Sequence, residues 1–301
     1  MQFSTGDGVN NIKTLILSGF GTNCENETRL ACRLAGAGPV DVRHINGIYS
    51  GEVDLEDYRF LVLIGGFLDG DDLGGARACA NRFRYRSLPG GGTFLESLIR
   101  FVEQDRLVLG ICNGFQLLVK LGLLPGSLTG ETRPEKQPEQ SPDNQQVTQQ
   151  VKQRVTLTNN SNGRFEDRWV NLRADGNSPC VFTRGMEMVE MPIRHGEGRL
   201  IGESAELPEK LVQAGLVPLR YADRAGTPTM DYPDNPNGSP LGMAALCNAR
   251  GTVMGLMPHP EAYHHYTNHP RWTREHPRPP ADESGGGLVL FRNAYQWLRG
   301  Q

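Results

Sequence analysis

The stretch LVLGICNGFQLLVKLG, residues 107–122, joins a short apolar run to a helical pattern through one cysteine that stands between two glycines. The run at 107–111 has the length and composition of a buried strand, and the segment after Gly114 repeats apolar residues at helical spacing. A strand that turns directly into a helix is the repeating unit of a parallel sheet covered by helices. This stretch therefore predicts an α/β fold, and it raises the question of whether Cys112 is a buried core residue or a nucleophile.

The rest of the N-terminal half repeats this alternation of strands and helices. Strands are predicted for KTLILSGF (13–20), DVRHI (41–45) and FLVLIGGF (60–67). A helix is predicted for ENETRLACRLAGAG (25–38), with Leu30, Leu34 and Ala37 on its apolar face. The pattern predicts a three-layer, mostly parallel open sheet flanked by helices. Because sites in such sheets form at the carboxyl ends of the strands, the glycine turns after these runs should share one edge.

The C-terminal half carries further strand-like segments and a closing helix. MVEMPIRHGEGRL (188–200) predicts a strand with a glycine-rich loop, and MAALCNARGTVMGLM (243–257) predicts a β-hairpin. GLVLFRNAYQWLRG (287–300) predicts an amphipathic helix with Leu290, Ala294 and Trp297 on one face. Between the halves, the Gln- and Pro-rich segment 129–153 lacks aromatic residues, which predicts a mobile insertion within a single domain over 12–301. A linker between two domains is the alternative interpretation of that segment.

The composition excludes several functional classes. The chain has 301 residues, of which 38% are hydrophobic and 22% charged, and its formal net charge of −3 does not fit a nucleic-acid binder. No run approaches the roughly 18 apolar residues that span a bilayer, and the N-terminus lacks a secretory pattern. The six cysteines are widely spaced without a CxxC pair, which favours reduced thiols. We therefore expect a cytoplasmic protein that binds neither membranes nor nucleic acids.

The sequence GICNG (110–114) is the cysteine form of a nucleophile elbow. A sharp turn from strand to helix needs a glycine on each side of the nucleophile, because a side chain there would clash. The start of the helix favours a thiolate at Cys112 through its aligned N–H groups, and the N–H of Asn113 can bind an oxyanion. These features predict a catalytic cysteine, with a buried strand-end cysteine as the alternative.

A cysteine nucleophile needs a base, and MPHPE (257–261) supplies the best candidate among the seven histidines. Because a residue before proline adopts an extended conformation, His259 and Glu261 should project to the same side, where Glu261 would orient the imidazole. A rigid proline-rich turn with a solvated histidine is the alternative. Gly66, after a predicted strand, is the candidate for a second oxyanion donor, although a plain turn explains it equally well.

The histidine-rich segment HHYTNH (264–269), with His276 beyond it, is a possible metal site by composition. Adjacent histidines rarely face one ion, and this spacing matches no compact ligand set. We therefore expect a polar surface loop and no metal.

Several segments in the order of the chain resemble the class I glutamine amidotransferases: GFGTNCENET (19–28), IGGFLDGDDLG (64–74), GICNGFQLL (110–118), GRFEDRWVNL (163–172), MPIRHGEGRL (191–200) and MPHPE (257–261). More narrowly, CNGFQ, GRFE and HGEGR resemble the glutaminase subunits of phosphoribosylformylglycinamidine synthases. The resemblance covers about residues 13–297 and implies a flavodoxin-like fold with an added β-hairpin region. The chain departs from it at Leu68 and Asp69, where relatives commonly carry Ser-Tyr.

The resemblance assigns roles to the motif residues. It makes Cys112 the nucleophile, His259 the base and Glu261 the third member of the catalytic set. The backbone of Gly66 and Asn113 matches the oxyanion hole.

Further positions follow from the same resemblance. Gln116 matches a glutamine that helps to hold the substrate. His195, Glu197 and Arg199 are expected at the active-site mouth or at the partner interface.

The implied reaction is hydrolysis of L-glutamine through a γ-glutamyl thioester, with ammonia delivered to a large ATP-dependent synthetase subunit. That subunit converts formylglycinamide ribonucleotide to formylglycinamidine ribonucleotide in purine biosynthesis, and a small bridging subunit completes the complex. The chain carries no G-x-x-x-x-G-K-[ST] loop, so we expect ATP and magnesium on the partner and no cofactor here. The alternatives are a glutaminase that serves another acceptor, a related cysteine hydrolase, or a non-catalytic scaffold.

Overall fold

The computed structural model of the chain describes residues 12–70, 74–126, 151–275 and 281–301. The strands in these ranges are β1 (Thr14–Ser18), β2 (Val40–His44), β3 (Phe60–Leu63), β4 (Leu107–Ile111), β5 (Val155–Thr158), β6 (Glu166–Ala174), β7 (Met188–His195), β8 (Arg199–Gly202), β9 (Leu219–Ala222), β10 (Ala245–Cys247) and β11 (Val253–Leu256). The helices are α1 (Glu25–Leu34), α2 (Ile45–Ser50), α3 (Arg77–Tyr85), α4 (Phe94–Glu103), α5 (Asn113–Leu121), α6 (Leu207–Gln213), α7 (Trp272–Glu275) and α8 (Leu288–Arg299). None of the helices in these ranges has the length and apolar character needed to cross a membrane.

Within the described ranges, six strands form the main sheet in the order β10-β11-β4-β3-β1-β2. All neighbouring strands are parallel except β10 and β11, which form an antiparallel hairpin at one edge. Helix α1 packs with α8, while α3 packs with α4 and α5, so that the helices form two layers around the sheet. The predicted three-layer, mostly parallel fold is confirmed, and so is the predicted hairpin.

The strand order places the predicted turns along one edge of the sheet. Strand β3 lies between β1 and β4, and Leu63 at its end is opposite both Leu17 and Gly110. On the other side of β4, Leu256 at the end of β11 is opposite Ile111. The segment that leads to His259 therefore leaves the sheet beside the cysteine elbow.

The predicted apolar face of α1 is wrong for its two leucines, while Ala37, beyond the end of the helix, packs against the core. Leu30 and Leu34 are 42% and 50% exposed, whereas the buried residues of this helix are Thr28, Ala31 and Cys32. Small side chains let a helix backbone lie close to its neighbours, so the helix is seated through its small face and turns the leucines outward. Spacing alone could not distinguish the two faces, because both repeat at helical intervals.

Two antiparallel sheets, β7-β6-β9 and β5-β8, form the added β region beside the main sheet. Strand β7 reaches the elbow: the carbonyl oxygen of Pro192 accepts the His259 N–H at 2.8 Å, and that of Arg194 lies 3.7 Å from Cys112 Sγ. Of the predicted mobile insertion, residues 129–150 lie outside the described residues. Val151, just after them, packs against the core beside Gly122. The insertion within a single domain stays a prediction.

Candidate active site

Cys112 occupies a strained turn between β4 and α5. Its φ of 50° and ψ of −102° lie where residues with a side chain are rarely found. The flanking glycines make the turn possible: a Cβ on Gly114 would lie 2.0 Å from the carbonyl oxygen of Leu63, and one on Gly110 would lie 2.7 Å from that of Gly114. Backbone strain of this kind persists only where the surrounding structure enforces it, and it concentrates at active sites. The geometry favours a nucleophile over a simple core cysteine.

His259 and Glu261 meet beside the thiol, as the sequence predicts. His259 Nδ1 lies 2.6 Å from Glu261 Oε1, and the two side chains are 4% and 0% exposed. The backbone route differs from the prediction, because Pro260–Ala262 forms a 3₁₀ turn instead of an extended segment. The turn closes on itself through a bond from Ala262 N–H to the His259 carbonyl at 3.2 Å, which keeps the carboxylate next to the ring.

The surroundings of His259 favour a protonated imidazole. Burial lowers the pKa of His259, but the Glu261 carboxylate, together with the nearby thiols of Cys112 and Cys24, raises it well above its ordinary value. The other ring nitrogen, Nε2, is buried and has no partner at ordinary hydrogen-bond distance within the described chain. Nε2 is therefore free to exchange a proton with the thiol or with a leaving group.

Two backbone N–H groups beside Cys112 are available to an oxyanion. Gly66 forms an isolated antiparallel bridge with Thr22 in which the neighbouring residues make both hydrogen bonds, so the Gly66 N–H points out of the ladder. Its φ is 138°, and a Cβ there would lie 2.5 Å from the Gly21 carbonyl oxygen, so this position suits only glycine. Asn113 begins α5, where an N–H has no acceptor within the helix.

Gln116 connects the elbow to the loop that follows β7. Its Oε1 accepts a hydrogen bond from Asn113 Nδ2 at 2.8 Å, and its Nε2 donates to the Glu197 carbonyl oxygen at 2.8 Å. Asn113 Oδ1 accepts from the Leu68 N–H at 3.1 Å, and Glu197 Oε2 accepts from the Gly75 N–H at 2.9 Å. These bonds hold the loops after β3 and β7 to the start of α5. The substrate contact expected of Gln116 stays a prediction.

A cavity of about 150 Å³ opens at the thiol. It brings together residues that are far apart in the chain, and the predicted residues that line it are Gly66, Cys112, Gln116, His195, Glu197 and His259. Arg199 is not part of this lining, because it lies on β8 opposite Thr158. A role for Arg199 at a partner interface stays a prediction.

His195 is a buried, neutral member of this cavity wall. Its Nδ1 lies 3.1 Å from Asn160 Oδ1, and its side chain is almost completely enclosed. Burial, helped by the charge on nearby His259, lowers the pKa of His195 to about 3. Since it stays uncharged at neutral pH, His195 is suited to shaping the wall rather than to acting as the base.

The histidines after the candidate base do not converge on one point. His264 contacts the carbonyl oxygen of Glu261 at 3.1 Å, and His265 contacts the Thr267 hydroxyl at 2.7 Å. His269 is buried, with Nε2 2.7 Å from Glu190 and Nδ1 3.2 Å from a carboxylate oxygen of Glu275. His276 lies outside the described residues. His264, His265 and His269 thus serve separate local contacts in this segment.

Comparisons with known proteins agree on one family. The CobB/CobQ-like glutamine amidotransferase domain matches residues 11–298. The phosphoribosylformylglycinamidine synthase subunit PurQ of Dehalococcoides mccartyi is 38% identical over 291 residues, which are 97% of this chain and 99% of that protein. The chain belongs to the PurQ family of glutamine amidotransferases.

Two other relatives extend the comparison. Human phosphoribosylformylglycinamidine synthase is 36% identical over 290 residues, which are 95% of this chain but 20% of the human protein. The structure of PurLQS from Thermotoga maritima contains a chain that matches with a TM-score of 0.63 at 24% identity, covering 96% of this chain and 99% of that one. The likeness to that structure shows a shared fold.

In this PurQ-family chain, Leu68 and Asp69, which replace the Ser-Tyr expected from the resemblance, both make specific contacts. Leu68 is buried, and its N–H is the one bound by Asn113. Asp69 has a positive φ of 63° and forms an ion pair with Arg82 on α3. The loop after Gly66 is therefore anchored to the elbow on one side and to α3 on the other.

Sequence reasoning singled out half of the residues that line the cavity in this PurQ-family chain and missed the others, which are Asn23, Cys24, Phe67, Phe165, Arg194 and Gly196. For Cys24 a signal was present, because GTNCE directly follows the first predicted strand and so belongs to the same sheet edge. Phe165 precedes β6 and Arg194 lies within β7, so both belong to a different sheet, and local periodicity could not place them at this cavity even though GRFE and MPIRHGEGRL carry the family resemblance.

Proposed function

We propose that the chain is the glutaminase subunit of a phosphoribosylformylglycinamidine synthase and that its active site is the Cys112 cavity. The observation that carries this proposal is the meeting of a cysteine on a strained elbow, a buried His259–Glu261 pair at 2.6 Å and two free backbone N–H groups. This set has the parts that an activated nucleophile and its oxyanion need. Membership of the PurQ family supports glutamine as the substrate.

The reaction begins when the Cys112 sulfur, whose proton is held on His259 Nε2, attacks the side-chain carboxamide carbon of glutamine. The new C–S bond forms as the carbonyl becomes an oxyanion, which the Gly66 and Asn113 N–H groups bind. His259 then gives a proton from Nε2 to the nitrogen as the C–N bond breaks, and ammonia leaves. Water attacks the remaining thioester with His259 as the base, which releases glutamate and restores the thiol. Glu261 holds the ring and stabilises its positive charge throughout.

The ammonia is consumed by a separate ATP-dependent synthetase subunit that converts formylglycinamide ribonucleotide to formylglycinamidine ribonucleotide. The human synthase supports this assembly, because the segment that matches this chain makes up only 20% of that much longer protein. By analogy with PurLQS from Thermotoga maritima, a large PurL-type and a small PurS-type subunit are the partners. ATP and magnesium belong to the large partner, and the complex acts in the cytoplasm.

The proposal is tested by measuring glutamate release and amidine formation by the chain with its large partner and bridging subunit. We expect weak glutaminase activity from the chain alone and a strong increase in the complex. The variant Cys112→Ala should lose both glutamine-dependent activities, while the complex still uses added ammonia. Cys32→Ala, a buried cysteine outside the cavity, is the matched control and should keep both.

Three outcomes would contradict the proposal. If the Cys112→Ala complex released glutamate at the wild-type rate, Cys112 could not be the nucleophile. Full glutaminase activity with a different synthetase, and none with this one, would favour the alternative of another acceptor. An inactive wild-type complex that nevertheless assembles would favour a scaffold.

A further inference from the structure

Cys24 is a second thiol in the active-site cavity, and the reaction described above does not use it. It stands at the start of α1 and is 6% exposed. Its Sγ lies 4.0 Å from His259 Nδ1, the same nitrogen that Glu261 Oε1 contacts at 2.6 Å. One sulfur, one nitrogen and one carboxylate oxygen from these three side chains all lie within 4.8 Å of one another.

A second, independent observation concerns the other oxygen of Glu261. The side chain is completely buried, yet Oε2 has no hydrogen-bond donor within the described chain. A buried carboxylate oxygen without a partner is costly, since it has lost its water and gained nothing in return. Glu261 Oε2 therefore lacks a hydrogen-bond donor or a positive charge beside it, and a bound cation would supply that charge.

The three side chains have the chemistry and nearly the spacing of a zinc site. Zn²⁺ binds cysteine sulfur at about 2.3 Å and histidine nitrogen or carboxylate oxygen at about 2.0–2.2 Å in a tetrahedral arrangement, which sets neighbouring ligand atoms roughly 3.5 Å apart. The observed separations from His259 Nδ1 are 4.0 Å to Cys24 Sγ and 2.6 Å to Glu261 Oε1. The thiol must approach and the carboxylate retreat, each by less than about 1 Å.

We propose that Cys24, His259 and Glu261 form a binding site for a thiophilic divalent cation such as Zn²⁺. The ion enters through the cavity, which Cys24 and His259 both line, and a water molecule from the cavity is its fourth ligand. Binding displaces the protons of the Cys24 thiol and of His259 Nδ1, and no electrons are transferred. The site is inhibitory: it withdraws His259 and Glu261 from the reaction that the proposed function assigns to them, and this consequence rests on that function.

A second group of possible ligands, Glu190, His269 and Glu275, is a weaker candidate. It offers no sulfur, and the Arg271 guanidinium already donates to Glu190 at 2.7 and 2.9 Å and to Glu275 at 2.7 Å. A cation there would have to displace an existing positive charge. The group at Cys24 contains no arginine or lysine, and Arg194, which lines the same cavity, makes no hydrogen bond to Glu261 Oε2.

The decisive experiment measures metal binding in a chain without the catalytic thiol. The Cys112→Ser variant is titrated with Zn²⁺ against a chromophoric chelator, and with Co²⁺ to record the absorption band that a thiolate ligand produces. We expect tight binding of Zn²⁺ and a thiolate–Co²⁺ band. The double variant Cys112→Ser/Cys24→Ser should lose the band and bind Zn²⁺ at least about 100-fold more weakly, the upper limit for loss of an outer-shell partner. Serine is a favoured residue at a helix start, so this variant should fold.

The control is Cys112→Ser/Cys32→Ser, which removes a buried cysteine outside the cavity and should bind as tightly as Cys112→Ser. A Cys112→Ser/Glu261→Gln variant should bind Zn²⁺ at least about tenfold more weakly. Unchanged Zn²⁺ affinity and an unchanged Co²⁺ band after Cys24→Ser would overturn the proposal. Because binding is measured without turnover, that outcome is separate from a failure of the glutaminase assay. With the intact Cys112 complex, Cys24→Ser should raise the Zn²⁺ concentration for half inhibition by a similar factor.

Discussion

The replacement of Gly114 by alanine offers a sharp test of the elbow. In most helices this change stabilises the protein by about 1 kcal/mol, because alanine loses less backbone entropy than glycine. Here the new Cβ would lie 2.0 Å from the Leu63 carbonyl oxygen and 2.6 Å from its carbonyl carbon, whereas ordinary contact begins at 3.4 Å. Both atoms belong to the backbone of β3, so no side chain can move aside. Strand and helix must therefore separate by more than 1 Å.

We expect Gly114→Ala to destabilise the protein, whereas glycine-to-alanine changes in helices usually stabilise it. Overpacking against a fixed backbone costs about 1–3 kcal/mol, so we expect Gly114→Ala to lower the free energy of unfolding by about that amount. The same movement shifts Cys112 relative to His259 and the Gly66 N–H. Misplacement by about 1 Å can reduce rates roughly 100-fold, which corresponds to about 2.7 kcal/mol in the barrier.

The assay pairs urea unfolding with kcat/KM for glutamate release by the complex. Gly176→Ala is the matched control, because a Cβ at that exposed position meets nothing within 4 Å. It should leave both measurements close to the wild type. A Gly114→Ala variant that is more stable than the wild type and keeps its kcat/KM would refute the proposed packing of the elbow against β3.

Three further predictions concern the cavity wall and the His259–Glu261 pair. Gln116→Leu removes the bonds to Asn113 and Glu197, so kcat/KM should fall about tenfold or more, with a rise in KM measured in the glutaminase assay. Glu261→Gln keeps the shape but removes the charge that supports the imidazolium, so kcat should fall at least about 100-fold with little change in KM; an unchanged kcat would contradict the role of Glu261. His195 has a folded pKa of about 3 against about 6.5 when unfolded, so its contribution to stability is complete above pH 6.5 and is lost as the pH falls toward 3. Urea unfolding at stepped pH should show that the free energy of unfolding falls less with acid in His195→Asn than in the wild type. The difference should reach a value on the order of 5 kcal/mol at pH 3. Parallel pH profiles of the two proteins would count against a buried neutral His195.

The local parts of the site could be predicted from the sequence because each depends on neighbours in the chain. The spacing of glycines around Cys112 reflects a clash that any strand-to-helix turn of this kind must avoid. His259 and Glu261 are separated by one proline, which leaves few backbone conformations. The alternation of apolar runs with helical patterns likewise predicted the layered sheet, since it follows from two fixed periodicities.

Other features depended on which strands pair, and local periodicity carries no information about pairing. Only the position of β11 beside β4 brings His259 next to Cys112, which precedes it by 147 residues. The choice of the small face of α1 over its leucines was made by close packing. The meeting of Cys24 with His259 and Glu261 was decided in the same way, because it needs β1, β3, β4 and β11 to end at one edge. The sequence by itself therefore determined the local conformation and chemistry of each segment. The tertiary structure decided which segments come together in one site.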